Sequence, residues 1–291
     1  MGKLEQKPER IDCRGKNLHR KTLSDDLAKN LTARTGKRGG TAKFGVELAK
    51  QLTKKPKKVE TIKFANGLKL KIAKGKDLVP PKKHPEKWEY YDPNNSGNPL
   101  LAIDEKDLDK QISKHFKVRD YARIDAKDLQ YVKAGTYWTV KSGNNVEYYH
   151  KYARIDPRLV ALIENIRSDA GVPMIVNEGF RSYLENKRMY DNRNEKPAYG
   201  SRHVSGQALD FENTNNKILK SALYLMRNDG GIGLYPGKNA VHFDCRRSKR
   251  RWTKGQWDKN KEWPRERWLS KNDVQEVKDR IAGKKRKRKK K

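Results

Sequence analysis

Ser201-Arg-His-Val-Ser-Gly-Gln-Ala-Leu-Asp-Phe211 and Ala240-Val-His-Phe-Asp244 are the two stretches whose reading decides the fold. Gln207-Ala-Leu-Asp-Phe211 and Ala240–Asp244 have strand length and are otherwise largely apolar, yet they carry Asp210 and His242. His203 stands seven residues before Asp210. A carboxylate and an imidazole set into core-forming strands are costly to bury unless partnered. Two histidines and one carboxylate suit a catalytic zinc with a fourth position left for water. Satisfied core polar residues are the plainer alternative, and spacing alone leaves both open.

Working outward, Asp156-Pro157 suits an N-cap and first helical residue. Leu159, Leu162, Ile163 and Ile166 follow at helical spacing, and Gly171 and Pro173 end the run. Met174-Ile-Val176 predicts a short buried strand, Tyr183 to Tyr190 a polar helix and Ile218 to Met226 another helix. This mixture predicts an α+β domain with a small, mostly antiparallel sheet flanked by helices. Gly230-Gly-Ile-Gly233 lacks the strand–glycine–helix context of a dinucleotide loop and is expected to be a turn.

Further from the centre the pattern weakens. Residues 1–40 read as a flexible basic arm with one weak helix around Ser24 to Leu31, and residues 41–99 as a small region and linker of unassigned role. Within the latter, Phe44, Val46, Leu48 and Leu52 suit a short helix. Thr61-Ile-Lys-Phe and Leu68-Lys-Leu-Lys-Ile predict a hairpin turning at Asn66-Gly67. Prolines and Asp92-Pro-Asn-Asn-Ser-Gly-Asn-Pro99 mark 80–99 as a linker. Tyr121-Ala-Arg-Ile-Asp125 recurs as Tyr152-Ala-Arg-Ile-Asp156, too short to argue a repeat. Between the copies, Tyr131-Val132 and Tyr137–Val140 predict strand pieces, with a turn at 142–145. The main domain is placed at 100–252 and a Trp-containing basic tail at 253–291. Residues 246–291 hold 21 Lys/Arg against 6 Asp/Glu, a composition expected to stay solvated rather than fold alone.

The whole chain of 291 residues has a net charge of +33, with 34% hydrophobic and 36% charged residues. Such a chain seeks polyanions, whether nucleic acid, anionic membrane or cell-wall polymer. No apolar run reaches the length of a membrane span. The first thirty residues lack a basic-then-apolar leader, so the chain is expected to be soluble as made, without an ordinary export signal. Cys13 and Cys245 are too few for a disulfide framework or a thiolate zinc site. Neither a Walker sequence nor a Gly-x-Ser-x-Gly elbow occurs, and Cys245 lacks the partners of a thiol protease. His19, His84, His115 and His150 sit in poorly patterned surroundings and are expected at the surface.

Ser201-x-His203-x-x-Gly206-x-Ala208-x-Asp210, followed by Gly230-Gly-Ile-Gly-Leu-Tyr-Pro236 and Val241-His-Phe-Asp244, resembles the zinc D-alanyl-D-alanine carboxypeptidase and murein endopeptidase family. Asn177-Glu-Gly-Phe-Arg-Ser182 resembles its Ser-Gly-Tyr-Arg-Ser segment, with Phe180 for the usual Tyr. The resemblance covers roughly 111–252 and implies a hedgehog/DD-peptidase-like fold. By it, His203, Asp210 and His242 are zinc ligands, and Arg181 holds a substrate carboxylate or the developing oxyanion. Ser201 hydrogen-bonds near the metal or substrate by the same resemblance, or is a turn residue. Several members place an acid three residues before the second zinc histidine, where this chain has Asn239. Asp244, two residues beyond His242 and on the same face of a strand, is then the base or a partner that orients a ligand. Glu178 is an outside candidate for the base.

The resemblance implies a zinc peptidase cutting amide bonds in peptidoglycan stem peptides or cross-bridges, as carboxypeptidase or endopeptidase. The expected partner is peptidoglycan, with anionic wall polymers held by the basic tail and nucleic acid a lesser prospect. Synthesis in the cytoplasm and action at the wall or periplasm after phage-type release, injection or secretion fit a lysin or delivered effector. The competing reading is an inactive polyanion-binding protein on the same fold.

Overall fold

In the computed structural model, which describes residues 60–192, 200–212, 215–235, 240–253 and 269–283, the lysine-rich alternation at the start forms the expected hairpin. Strand β1 (Thr61–Lys63) pairs antiparallel with β2 (Lys69–Ile72), with Leu70 buried. Two further short strands, β3 (Leu101–Ala102) and, after it in the chain, β7 (Tyr152–Ala153), complete a four-stranded sheet in the order β1-β2-β3-β7. Helix α1 (Val118–Ala122) leads into β4 (Arg123–Ile124), which pairs with β6 (Asn145–His150); β6 pairs in turn with β5 (Tyr137–Ser142). Tyr131 is not in a strand: residues 126–131 form a 3-10 helix, capped by the Asp125 carboxylate on the Lys127 amide.

Helix α2 (Pro157–Ala170) begins where the sequence predicts, with Asp156 accepting from the Arg158 amide, and stops at Gly171 in the left-handed region. Asp125 and Asp156, the last residues of the repeated pentapeptide, are thus both helix caps. Their preceding Tyr-Ala pairs lie in α1 and β7 respectively, so no repeated fold unit exists here.

The remaining elements build the sheet that matters. They are β8 (Ile175–Glu178), α3 (Tyr183–Asn192), β9 (Ala208–Glu212), α4 (Asn216–Leu225), β10 (Gly231–Tyr235), β11 (Ala240–Asp244) and β12 (Arg250–Thr253). The strand order is β12-β10-β11-β9-β8, antiparallel throughout except for the β10–β12 pair. Because side chains alternate across a strand, Leu209, Phe211, Ile232, Leu234, Val241 and Phe243 share one face. They are buried in one core with Leu159, Ile163 and Ile166 of α2 and Ile218, Leu219 and Ala222 of α4. The opposite face carries Asp210, His242 and Asp244, with Gly231 and Gly233 beside them in register. The architecture is α+β with small, mostly antiparallel sheets, three where the sequence suggested one.

Three expectations are corrected. Gly231 and Gly233 are strand residues, not a turn; they are glycines because a Cβ would lie 2.1 Å from Asp244 Oδ2 and 2.3 Å from Trp252 Cε2 respectively. The stretch read as a linker buries Tyr90 and Leu100 in the core, and the described residues belong to a compact unit that starts at Glu60. Part of the region read as a solvated tail is also folded. Leu269 and Val277 are buried, and α5 (Lys271–Ile281), capped by Ser270, packs on α4. Lys220 on α4 binds Asp273 and Glu276, which draws α5 in despite its charge. The arm at 1–40, the helix around Phe44–Leu52 and the basic run 284–291 lie outside the described residues.

Candidate metal centre

The antiparallel register sets Asp210 directly opposite His242, and the loop preceding β9 returns His203 to the same point. His203 Nε2 and His242 Nδ1 are 3.1 Å apart; Asp210 Oδ1 is 2.8 Å from His242 Nδ1 and 3.3 Å from His203 Nε2. Both imidazoles are buried and the carboxylate is half-buried. Donors around a tetrahedral zinc, each about 2.0–2.2 Å from it, stand about 3.3–3.6 Å apart. The three atoms here are close to that spacing, and the donor set is one zinc accepts.

The second nitrogen of each histidine is already engaged. His203 Nδ1 donates to the Gly179 carbonyl at 2.7 Å, which leaves Nε2 as the bare lone pair. His242 Nε2 donates to Asp244 Oδ2 at 3.2 Å, which leaves Nδ1 bare. This is the outer arrangement that fixes tautomer and ring orientation in metal sites. Burial alone lowers the basicity of His242, but hydrogen bonds and charge from Asp210 and Asp244 raise its pKa to about 9. Two anions bracketing one imidazole favour a cation at Nδ1, whether proton or metal. Burial likewise works against ionising Asp210, yet His203 and His242 hold its carboxyl well below the ordinary range.

Asp244 is fully buried, and its carboxylate is shared between His242 and Arg246, whose backbone amide and guanidinium both donate to it. It lies on the Nε2 side of the ring, away from the atoms that converge. Glu178 is occupied by Arg181. The Arg181 guanidinium is buried, with Nε and Nη2 on Glu178 Oε1 and Nη1 on Asn186 Oδ1. Its backbone amide donates to the carbonyl of His203. Ser201 is half-buried and its carbonyl accepts from Asn94 Nδ2. Asn239 lies outside the described residues.

Several residues around the site escaped the sequence reading. Trp252 packs at a tilt against His242, ring centroids 5.1 Å apart, over the space that Gly233 leaves free. The supposed linker is a strap on the histidine loop. Asn94 Nδ2 donates to Ser205 Oγ at 2.7 Å, Ser205 Oγ to Asp92 Oδ1 at 2.8 Å, and Asn98 Nδ2 to the Ser205 carbonyl at 2.9 Å. Arg154 ties the Tyr90 and Asn98 carbonyls from below. The Asx-rich composition of 92–98 was the available signal, since such side chains bond backbone groups readily. His150, expected at the surface, is buried against Glu185 at 3.4 Å. Burial pushes that histidine down to about 3 and Glu185 up to about 8.

Residues 117–252 match the family described as peptidoglycan L,D-endopeptidase MepK. A probable peptidoglycan L,D-endopeptidase MepK from Haemophilus influenzae is 32% identical over 96 residues, which is 31% of this chain and 50% of that protein. The chain thus spans about half the length of this relative. No solved structure matches. The match encloses both strands that bear the converging histidine and carboxylate, the loop that bears His203, and the Arg181 segment, so residues 117–252 are similar to that endopeptidase family over the whole candidate site.

Proposed function

We propose that the folded unit is a zinc-dependent peptidase that hydrolyses amide bonds in the peptide part of peptidoglycan, acting as an endopeptidase on cross-linked stems. The observation that carries this reading is the convergence of His203 Nε2, Asp210 Oδ1 and His242 Nδ1, each histidine held in the tautomer that leaves its ligand atom bare. When bound by these donors, zinc supplies Lewis acidity toward a carbonyl and lowers the pKa of water so that hydrolysis runs near neutral pH.

The chain's own groups have separate tasks. Asp244 keeps the proton of His242 on Nε2 and is a positioning residue. Gly179 does the same for His203 through its carbonyl. Trp252 covers the β10 side of His242 and keeps bulk water from that flank. Peptidoglycan is the partner this reading requires. The basic segments beyond the described residues are suited to anionic wall polymers, through attraction that weakens with salt. Action at the wall after phage-type release, injection or secretion fits the same reading.

Mass spectrometry of muropeptides after incubation of purified peptidoglycan with the protein tests it. New stem-peptide products that vanish with a chelator and return with zinc are expected. Unchanged muropeptides from folded, zinc-loaded protein on several wall chemotypes would overturn it.

A further inference from the structure

Arg181 sits against the metal centre but does not offer a free charge. Its amide donates to the His203 carbonyl at 3.4 Å, and the preceding Gly179 carbonyl receives His203 Nδ1. The guanidinium is bound to Glu178, which stands opposite Asp210 in the β8–β9 register, so the ion pair lies on the sheet face that carries Asp210 and His242. Each guanidinium nitrogen has an acceptor within the protein: Glu178 takes Nε and Nη2, and Asn186 takes Nη1.

The backbone is built to bring Glu178 there. Strand β8 pairs Val176 with Phe211 and Glu178 with Asp210, so one extra residue is accommodated between them. Without this bulge Asn177 would stand opposite Asp210. Bulges beside active sites re-aim a side chain in this way, and here the result is a buried carboxylate on an otherwise buried arginine. The neighbouring acid, Glu185, is engaged by the Ser182 amide as the cap of α3, and Arg188 takes Glu89. Glu178 is thus the anion that balances Arg181. In the family motif this place holds a serine, which has no charge.

We propose that Glu178 sets the charge preference of the substrate site: by neutralising Arg181 it removes the reward for a free carboxylate on the substrate, so acid and amidated peptides are cut alike. An unbalanced buried arginine would instead favour the acid strongly, since charge-assisted pairing to a carboxylate is among the stronger polar interactions. This inference rests on the peptidase reading above.

The test uses muropeptide dimers differing only in whether the carboxyl group next to the link, on its amine side, is free or amidated. The wild-type protein is expected to show kcat/KM values for the two within about threefold of each other. In Glu178→Gln, which keeps an acceptor but not the charge, and in Glu178→Ser, the ratio is expected to move at least tenfold toward the acid, as one lost charge-assisted interaction implies. A general structural defect lowers both rates and leaves their ratio unmoved. An unmoved ratio in both variants, or a strong acid preference already in the wild type, overturns the proposal while leaving the peptidase reading intact. Cleavage of neither dimer by the wild type brings down both.

Discussion

Replacing Asp244 by Asn separates orientation from proton transfer. The substitution keeps the shape of a side chain that is wholly buried, and it removes the charge facing His242 Nε2 at 3.2 Å and the Arg246 guanidinium. Losing an outer-shell carboxylate from a ligating histidine typically weakens metal binding by about 10- to 100-fold, or roughly 1.4–2.7 kcal/mol. Arg246 keeps a neutral acceptor in place of an ion, which adds about 1–3 kcal/mol of lost stability. Zinc affinity is to be read by competition against a chromophoric chelator, with unfolding followed separately in metal-free protein. Turnover is then measured at saturating zinc, where a positioning residue leaves most of the activity. A base would instead be worth about 10²–10⁴ in rate. Unchanged zinc affinity together with a hundredfold loss of kcat at saturating zinc would refute the orienting role and restore Asp244 as the base.

Gly231→Ala is expected to destabilise the fold by about 1–3 kcal/mol, as overpacking does, and to weaken zinc binding, because the new Cβ falls on Asp244 Oδ2; a variant with unchanged melting temperature and affinity would contradict the close approach. Asn94→Ala removes the donor to Ser205 Oγ and the Ser201 carbonyl, so a loss of about 1–2 kcal/mol in stability and weaker zinc binding are expected; a calorimetric melt and zinc titration matching the wild type would show that the strap does not hold the loop. Glu185 is raised by burial from 4.5 to about 8. The unfolded chain therefore releases this proton first, and the group makes stability fall as pH rises between about 4.5 and 8. Glu185→Gln is expected to flatten that decline in denaturant titrations across this window, and superimposable pH profiles would refute it.

Much of the site is legible along the chain because its rules are local. Donor types that resist burial announce themselves in an apolar strand, as Asp210 and His242 do. Spacing by two puts Asp244 on the face of His242, and the Asp156, Pro157 and Gly171 signals bound α2 correctly. What the sequence does not carry is the partner across the sheet or across the domain. Gly231 and Gly233 look like turn residues until the register sets them against Asp244 and Trp252. Asn94 and Ser205 are 111 residues apart, and a stretch of Asx and Pro residues reads as a linker when its contacts are that distant. The tail misled for a related reason: α5 is too short and charged to hold alone, and it is the acceptor surface of α4, with Lys220, that makes its burial favourable. Residue chemistry and short-period spacing marked the candidate donors and the fold class, and the family resemblance implied that those donors form one ligand set. Cross-strand register and long-range hydrogen bonds decided which groups orient those donors and which anion balances Arg181, because such pairings depend on contacts that no local pattern encodes.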